Sequence, residues 1–383
     1  SDSGGGAGGF GSGKKDIVKK RIRVGVLFGG RSGEHEVSIT SATSVIKALD
    51  PAKYDVTPIG ISREGRWHIG SGRRGLLSEV FKKGQVIIPS ADPSGPKFFV
   101  RSGRSAAKGV RPVDVIFPVL HGTFGEDGTI QGLLELAGIA YVGAGVLGSS
   151  AGMDKDVMKR LFRDAGLPVV EWVLVLRGEW KQRPARLRKL IETRLGYPLF
   201  VKPANLGSSV GISKVHNRRE LAAAIDLAAG YDRRVIVEKG LDAREIECSV
   251  LGNDSPEASV PGEIVPLNEF YDYESKYLKE GSELHIPAKL TRAEARSVKD
   301  LALRAFRAVD CAGMARVDFL LDRPSGTLYV NEVNTIPGFT PISMYPKLWE
   351  ATGLPYPRLL DRLIQLALER HGEKAQTRYD YGS

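Results

Sequence analysis

Tyr329 to Thr340 reads YVNEVNTIPGFT. Tyr329 to Val333 has the composition of a short strand, and Glu332 and Asn334 stand two apart, so both leave one face of it. Just upstream, AGMARVDFLLD (residues 312–322) is a second apolar run. There Arg316 and Asp318 share a face, while Val317 and Phe319 occupy the other. The turn signal DRPSG, Asp322 to Gly326, joins the two runs and predicts an antiparallel pair. Pairing gathers one cation, two carboxylates and one amide on a single surface. Asp318, Glu332 and Asn334 are hard oxygen donors of the kind that hold magnesium together with phosphates. The competing reading is a solvated sheet face with scattered charges. The Pro337-Gly338 turn directly after the donors favours a site.

The remainder of the chain supplies segments that belong with this one. VLFGGRSGEHEVS starts at Val26, HGTFGEDG at His121, MDK at Met153 and VKPANLGSSVG at Val201. IVEKGL follows from Ile236, REIECSV from Arg244 and YDYESKYL from Tyr271. With ARVDF and NEVNTIPG, their order and spacing resemble the D-alanine–D-alanine ligases of the ATP-grasp superfamily over residues 22 to 365. A set of motifs in order is far more specific than a lone glycine-rich loop. The resemblance implies an α/β and α+β multidomain chain: an ATP-grasp fold behind an N-terminal Rossmann-like domain.

Composition sets the outer bounds. The 383 residues are enough for two or three domains with cores of their own. Hydrophobic residues make up 42% and charged residues 26%, the balance of an ordinary globular chain. Cys248 and Cys311 lie in apolar runs without a zinc-type spacing, so both read as reduced core residues. No apolar run reaches the length of a membrane span and no signal-peptide pattern follows the first basic residues. The expectation is therefore a cytoplasmic enzyme without membrane or nucleic-acid partners. A net charge of +10 would suit a nucleic-acid binder, but the basic residues are dispersed and no nucleic-acid motif accompanies them. A basic surface that attracts anionic nucleotides accounts for the excess equally well.

Taken in order, residues 1–19 open with the low-complexity run SDSGGGAGGFGSG and are expected to form a disordered tail. Arg23 to Phe28, a glycine-rich loop, a helix from about Glu36 and a strand near Tyr54 to Ile61 give a β-loop-α-β order. The loop lacks the dinucleotide fingerprint, which argues against NAD. Glu34 there reads either as a helix-cap carboxylate or as a substrate ligand. Residues 62 to 109 read as an inserted, hairpin-like excursion. Val113 to Leu120 is a buried strand that delivers His121 at its C-terminal end, where open α/β sheets place ligands; a structural histidine is the plainer alternative. Lys155 opens a helix and by itself needs no role. Lys202 precedes Gly207, Ser208, Ser209 and Gly211. A lysine followed by amide and hydroxyl donors suits a triphosphate, and a flexible hairpin is the alternative. The segment Phe270 to Leu278 is aromatic and polar, and could pack as a surface excursion. The division expected is 20–151, 152–240 and 241–375.

What the resemblance implies is more specific. Glu34 grips the ammonium of the first D-alanine, with His121 beside it and Glu126 as the partner of His121. ATP lies between the last two domains. Lys155, Lys202 and Ser209 contact its phosphates, Glu238, Lys239 and Leu241 its base, and Glu245 its ribose. Lys276 and Tyr277 belong to a loop that closes over the site, with Tyr277 bonded to Ser208 and Glu34. Arg316 and the Gly338 N–H face the oxyanion, Ser343 and Lys276 receive the second carboxylate, and Met344 borders it. Asp318, Glu332 and Asn334 hold two magnesium ions, with manganese an alternative. The product is D-alanyl-D-alanine, made through a D-alanyl phosphate for peptidoglycan, and the assembly is a homodimer. The rivals are a D-alanine–D-lactate type of ligase and a non-catalytic nucleotide-binding relative.

Overall fold

The structure is a computed structural model that describes residues 20–70, 77–101, 108–110, 112–207, 210–266 and 282–379. The expectations for the tail at 1–19 and for Ser208, Ser209, Lys276 and Tyr277 lie outside the described residues.

Three sheets follow one another along the chain. The first has eight strands, and its parallel part is built from β1 (Ile22–Gly29), β2 (Tyr54–Ile61), β7 (Val115–Val119) and β8 (Ala140–Tyr141), in the order β2-β1-β7-β8. These strands are near-continuous apolar runs because helices cover both faces. The expected excursion at 62–109 is an antiparallel extension of that sheet, with β3 (Trp67–Ile69), β4 (Gln85–Pro89), β5 (Phe98–Val100) and β6 (Lys108–Gly109) added beyond β2.

The second sheet has the order β11-β10-β12-β9. It comprises β9 (Trp172–Leu176), β10 (Leu199–Pro203), β11 (Ser213–Val215) and β12 (Arg234–Lys239). It is antiparallel throughout. In the third, β13 (Ala243–Gly252) lies between β15 (Gly262–Pro266) and β17 (Gly313–Asp322), which in turn pairs with β18 (Leu328–Asn334). The helix α5 (Lys155–Asp164) packs on β18 of the third sheet and is tied to the second through Asp156, which accepts from Trp172 Nε1 and pairs with Arg234. Asp154 caps it by accepting from the N–H groups of Asp156 and Val157. Thr291 and Glu294 form a capping box on α9 (Arg292–Ala308).

The chain ends by returning to its start. The long helix α11 (Tyr356–Lys374) buries Leu359, Leu360, Leu363 and Ile364 in one core with Val24, Val26 and Phe28 of β1. Phe339, directly after β18, belongs to that core and meets Phe117 and Tyr345 edge-on at 5.7 Å. The donor-bearing strand is thus tied to the first sheet through apolar packing, which keeps the ends of the first and third sheets in fixed relation.

Candidate active site

The predicted strand pair forms. β17 and β18 are antiparallel, with Arg316 opposite Asn334 and Asp318 opposite Glu332. Residues directly opposite share a face, so all four side chains stand together. The register shifts just past Asp318, because Phe319 pairs with Val330 and Asn331 is the extra residue. That bulge keeps Val330 and Phe319 both in the core while Glu332 stays level with Asp318. An unbulged strand would have forced one of those requirements to fail.

Arg316 is held from two sides. Its Nε and Nη2 donate to the two Asp318 oxygens at 2.7 Å each, and its Nε lies 3.0 Å from Glu247 Oε2. Glu247 is directly across from Asp318 on β13, so three carboxylates, Glu247, Asp318 and Glu332, form a row across three strands. Burial would lower the Arg316 pKa, but Asp318 and Glu247 outweigh it and hold it well above the usual arginine range. Asn334 donates to Asp318 at 2.9 Å, and Lys155 Nζ is 3.7 Å from Glu332. Lys155 also donates to the Leu206 carbonyl at 2.9 Å, which brings it to the start of the glycine-serine loop.

Among the described residues, no group of three or more His, Cys, Asp or Glu is gathered to hold a metal alone. The donor set here is two carboxylates and an amide, which leaves coordination positions for phosphate oxygens. That donor chemistry fits magnesium carried on a nucleotide. Asp318 would exchange part of its bonding to Arg316 and Asn334 for the ion.

At the other end, Glu238 is buried and bridges two lysines: Lys202 at 2.5 Å and Lys159 at 2.9 Å. Burial alone would push the Glu238 carboxyl up, but the two ammonium groups prevail and hold it at about 2. Both carboxylate oxygens are therefore engaged by protein cations. The side chain thus orients Lys202 while lining the cavity, where the resemblance places Glu238 beside the base. Lys239, next in the strand, is exposed.

The first sheet contributes the third wall. Glu34 is buried at the N-terminus of α1 (His35–Ala48) and makes no capping bond there, so its capping alternative fails. His121 is buried too, with Nδ1 3.1 Å from the Ile336 carbonyl and Nε2 3.4 Å from Ser41 Oγ. Burial lowers its pKa. Glu126 does not pair with His121 directly, contrary to expectation. It accepts from the Gly122 and Ile336 N–H groups at 2.7 and 3.3 Å, so both residues converge on Ile336. Burial, with Glu34 nearby, raises the Glu126 carboxyl to about 8. A Cβ at Gly338 would sit 2.6 Å from Ser343 Oγ, so a side chain there would displace the Ser343 hydroxyl. That hydroxyl accepts from the Thr340 N–H at 3.0 Å, closing the turn.

One cavity of about 930 Å³ connects all of this. Glu34, His121, Lys155, Lys202, Glu238 and Lys239 line it, as do Leu241, Glu245, Arg316, Asp318, Glu332, Asn334, Gly338, Ser343 and Met344. Every predicted site residue among the described ones is thus brought together. Sequence reasoning missed Lys159, Glu247 and Asn331. Glu247 carried a signal, because it shares a strand face with Glu245; Lys159 lies one helical turn beyond Lys155.

A cavity between two antiparallel sheets, with lysines on one wall and a metal-type oxygen set on the other, beside a parallel α/β sheet, defines an ATP-grasp ligase. The family models for the D-ala D-ala ligase N-terminus and C-terminus match residues 23–144 and 161–365. The D-alanine--D-alanine ligase of Heliobacterium modesticaldum is 55% identical over 358 residues, covering 92% of this chain and 96% of that one. That of Thermoanaerobacter sp. is 55% identical over 361 residues, covering 93% and 99%. The solved structure of the Coxiella burnetii D-alanine-D-alanine ligase superposes with a TM-score of 0.82 at 39% identity, over 94% of this chain and 97% of that one. A D-Ala:D-Ser ligase from Enterococcus faecalis gives 0.81 at 38%, over 91% and 100%. The chain belongs to the D-alanine–D-alanine ligase family.

Proposed function

We infer that this chain joins two D-alanines into D-alanyl-D-alanine at the expense of ATP, supplying a peptidoglycan precursor. The observation that carries the reading is the cavity itself: Lys202, paired with Glu238, lines one end of a space sized for a nucleotide, and the carboxylate row of β13, β17 and β18, with Lys155 beside Glu332, lines the other. Relatives named for this activity match nearly the whole chain.

A carboxylate is a poor acceptor for an amine, so its oxygen must first become a leaving group. Transfer of the terminal phosphoryl group to the first D-alanine makes an acyl phosphate; the second amine, deprotonated, then attacks the carbonyl and expels phosphate. Lys155 and Lys202 neutralise phosphate charge on one side. Asp318, Glu332 and Asn334 would hold magnesium or manganese, which supplies charge neutralisation at the β and γ phosphoryl oxygens. Arg316 and the Gly338 N–H face the carbonyl oxygen that gains charge on attack, where preorganised donors count most. Glu34, with His121 behind it, takes the first ammonium, and Ser343, beside Met344, takes the second carboxylate. Leu241 and Glu245 flank the base and ribose, with Lys239 at the rim. Ser208, Ser209, Lys276 and Tyr277 are assigned to closure, which keeps water from the acyl phosphate.

The division at about residues 151 and 240 assigns one sheet to each domain, with the terminal helix returning to the first. A homodimer is proposed, supported by the exposed apolar side chains of Leu136, Val146 and Leu147 on the first domain. A cytoplasmic location is proposed for a chain that uses ATP; no helix among the described residues is long and apolar enough to cross a membrane. Product analysis after incubation with ATP, magnesium and D-alanine tests the activity. Dipeptide, ADP and phosphate in equal amounts are expected. Products formed with D-lactate or D-serine but not with a second D-alanine would overturn it.

A further inference from the structure

Lys159 sits in α5 one turn after Lys155, and its side chain is 1% exposed. A buried ammonium is costly unless paired, and here the pairing is specific. Its Nζ is 2.9 Å from Glu238 Oε1, while Glu238 Oε2 is 2.5 Å from Lys202 Nζ. The Trp172 ring lies 5.8 Å from the same ammonium, and Trp172 is the cross-strand neighbour of Glu238. One carboxylate thus serves two ammonium groups, which leaves the trio with a net positive charge. Lys202 lines the cavity, and Lys159 is behind it.

We propose that Lys159 is a positioning residue for the nucleotide: by holding one oxygen of Glu238, it leaves Lys202 with charge and donor capacity to offer into the cavity. Without Lys159 the carboxylate would neutralise Lys202 completely, and the wall facing the nucleotide would lose its surplus charge. Burial draws Lys159 below the usual lysine range, with Glu238 opposing the loss. Because Glu238 stays ionised down to about 2, its counter-charge is present at every pH the protein meets. For Lys202, burial acts downward but Glu238 prevails, and the pKa is raised. The inference rests on the reading of the cavity as an ATP site. A merely structural role, in which Lys159 pins α5 to the second sheet, predicts lost stability without a change in affinity.

Calorimetric titration of the full chain with a non-hydrolysable ATP analogue and magnesium, beside a thermal melt, separates the two. Lys159→Met should weaken binding about tenfold, or about 1.4 kcal/mol. Lys159→Arg keeps the charge and should bind within about threefold of the parent. Lys159→Met combined with Glu238→Gln removes both charges, frees Lys202 and should restore affinity to within about threefold. Should Lys159→Met not fold, the arginine and double variants decide. Parent-like affinity in Lys159→Met, or a double variant as weak as the single one, would overturn the proposal. If the parent chain binds no nucleotide, the ligase reading falls first; if the parent binds and the variants bind equally, only the role of Lys159 falls.

Discussion

The two ends of the cavity handle charge in opposite ways. At the Glu238 end, two lysines share one carboxylate, deep in the second sheet, and the balance is positive. At the Asp318 end, Glu247, Asp318 and Glu332 face Arg316 and Lys155, and the balance is negative. The first arrangement suits holding an anion steadily. The second suits cations that come and go with each turnover, since the surplus is on the protein. The difference places affinity at one end and chemistry at the other.

Substitutions should respect that division. Glu332→Gln keeps the side-chain volume but removes one of the paired carboxylates; turnover should fall by at least about 10³-fold, since charge at the transferred group is lost. Its melting temperature should stay close to that of the parent, and normal turnover would break the assignment of this end to chemistry. Arg316→Lys keeps the charge but loses the fork that grips Asp318 and Glu247. A loss of about 10²-fold in kcat, with the KM for ATP less affected, is expected from steady-state kinetics. Glu245→Gln removes the charge assigned to the ribose, and a rise of only about tenfold in the KM for ATP, with kcat nearly unchanged, would sharpen the contrast.

The smallest effect concerns stability. Glu126 is protonated up to about pH 8 in the folded chain but ionises near 4.5 when unfolded. Unfolding therefore releases a proton between those values, and stability falls as pH rises through that window. In Glu126→Gln the difference in urea midpoint between pH 5 and pH 9 should shrink. An unchanged difference would show that Glu126 does not carry it.

Much of this was legible because it is local. Alternation in ARVDF and NEVN, joined by DRPSG, was enough to predict which side chains share a face, since strand geometry has period two. The position of His121 followed from the strand that precedes it. Asn331 could not be anticipated, because a bulge depends on what the partner strand must bury, here Phe319 against Val330. Lys159 looked like any helix lysine, since its partner Glu238 is on a strand in a different sheet layer far along the chain. The return of α11 to the first sheet was equally hidden: an amphipathic helix shows that it has an apolar face and not which sheet that face will cover.

The central claim is that opposed charges around one cavity let a phosphoryl group turn a carboxylate into an acyl donor. The most direct measurement starts from D-alanine labelled with ¹⁸O in its carboxyl group and follows the label through one round of ligation with ATP. The account predicts that one labelled oxygen leaves the first D-alanine and appears in the released phosphate. Unlabelled phosphate, formed at the same rate as the dipeptide, would contradict it.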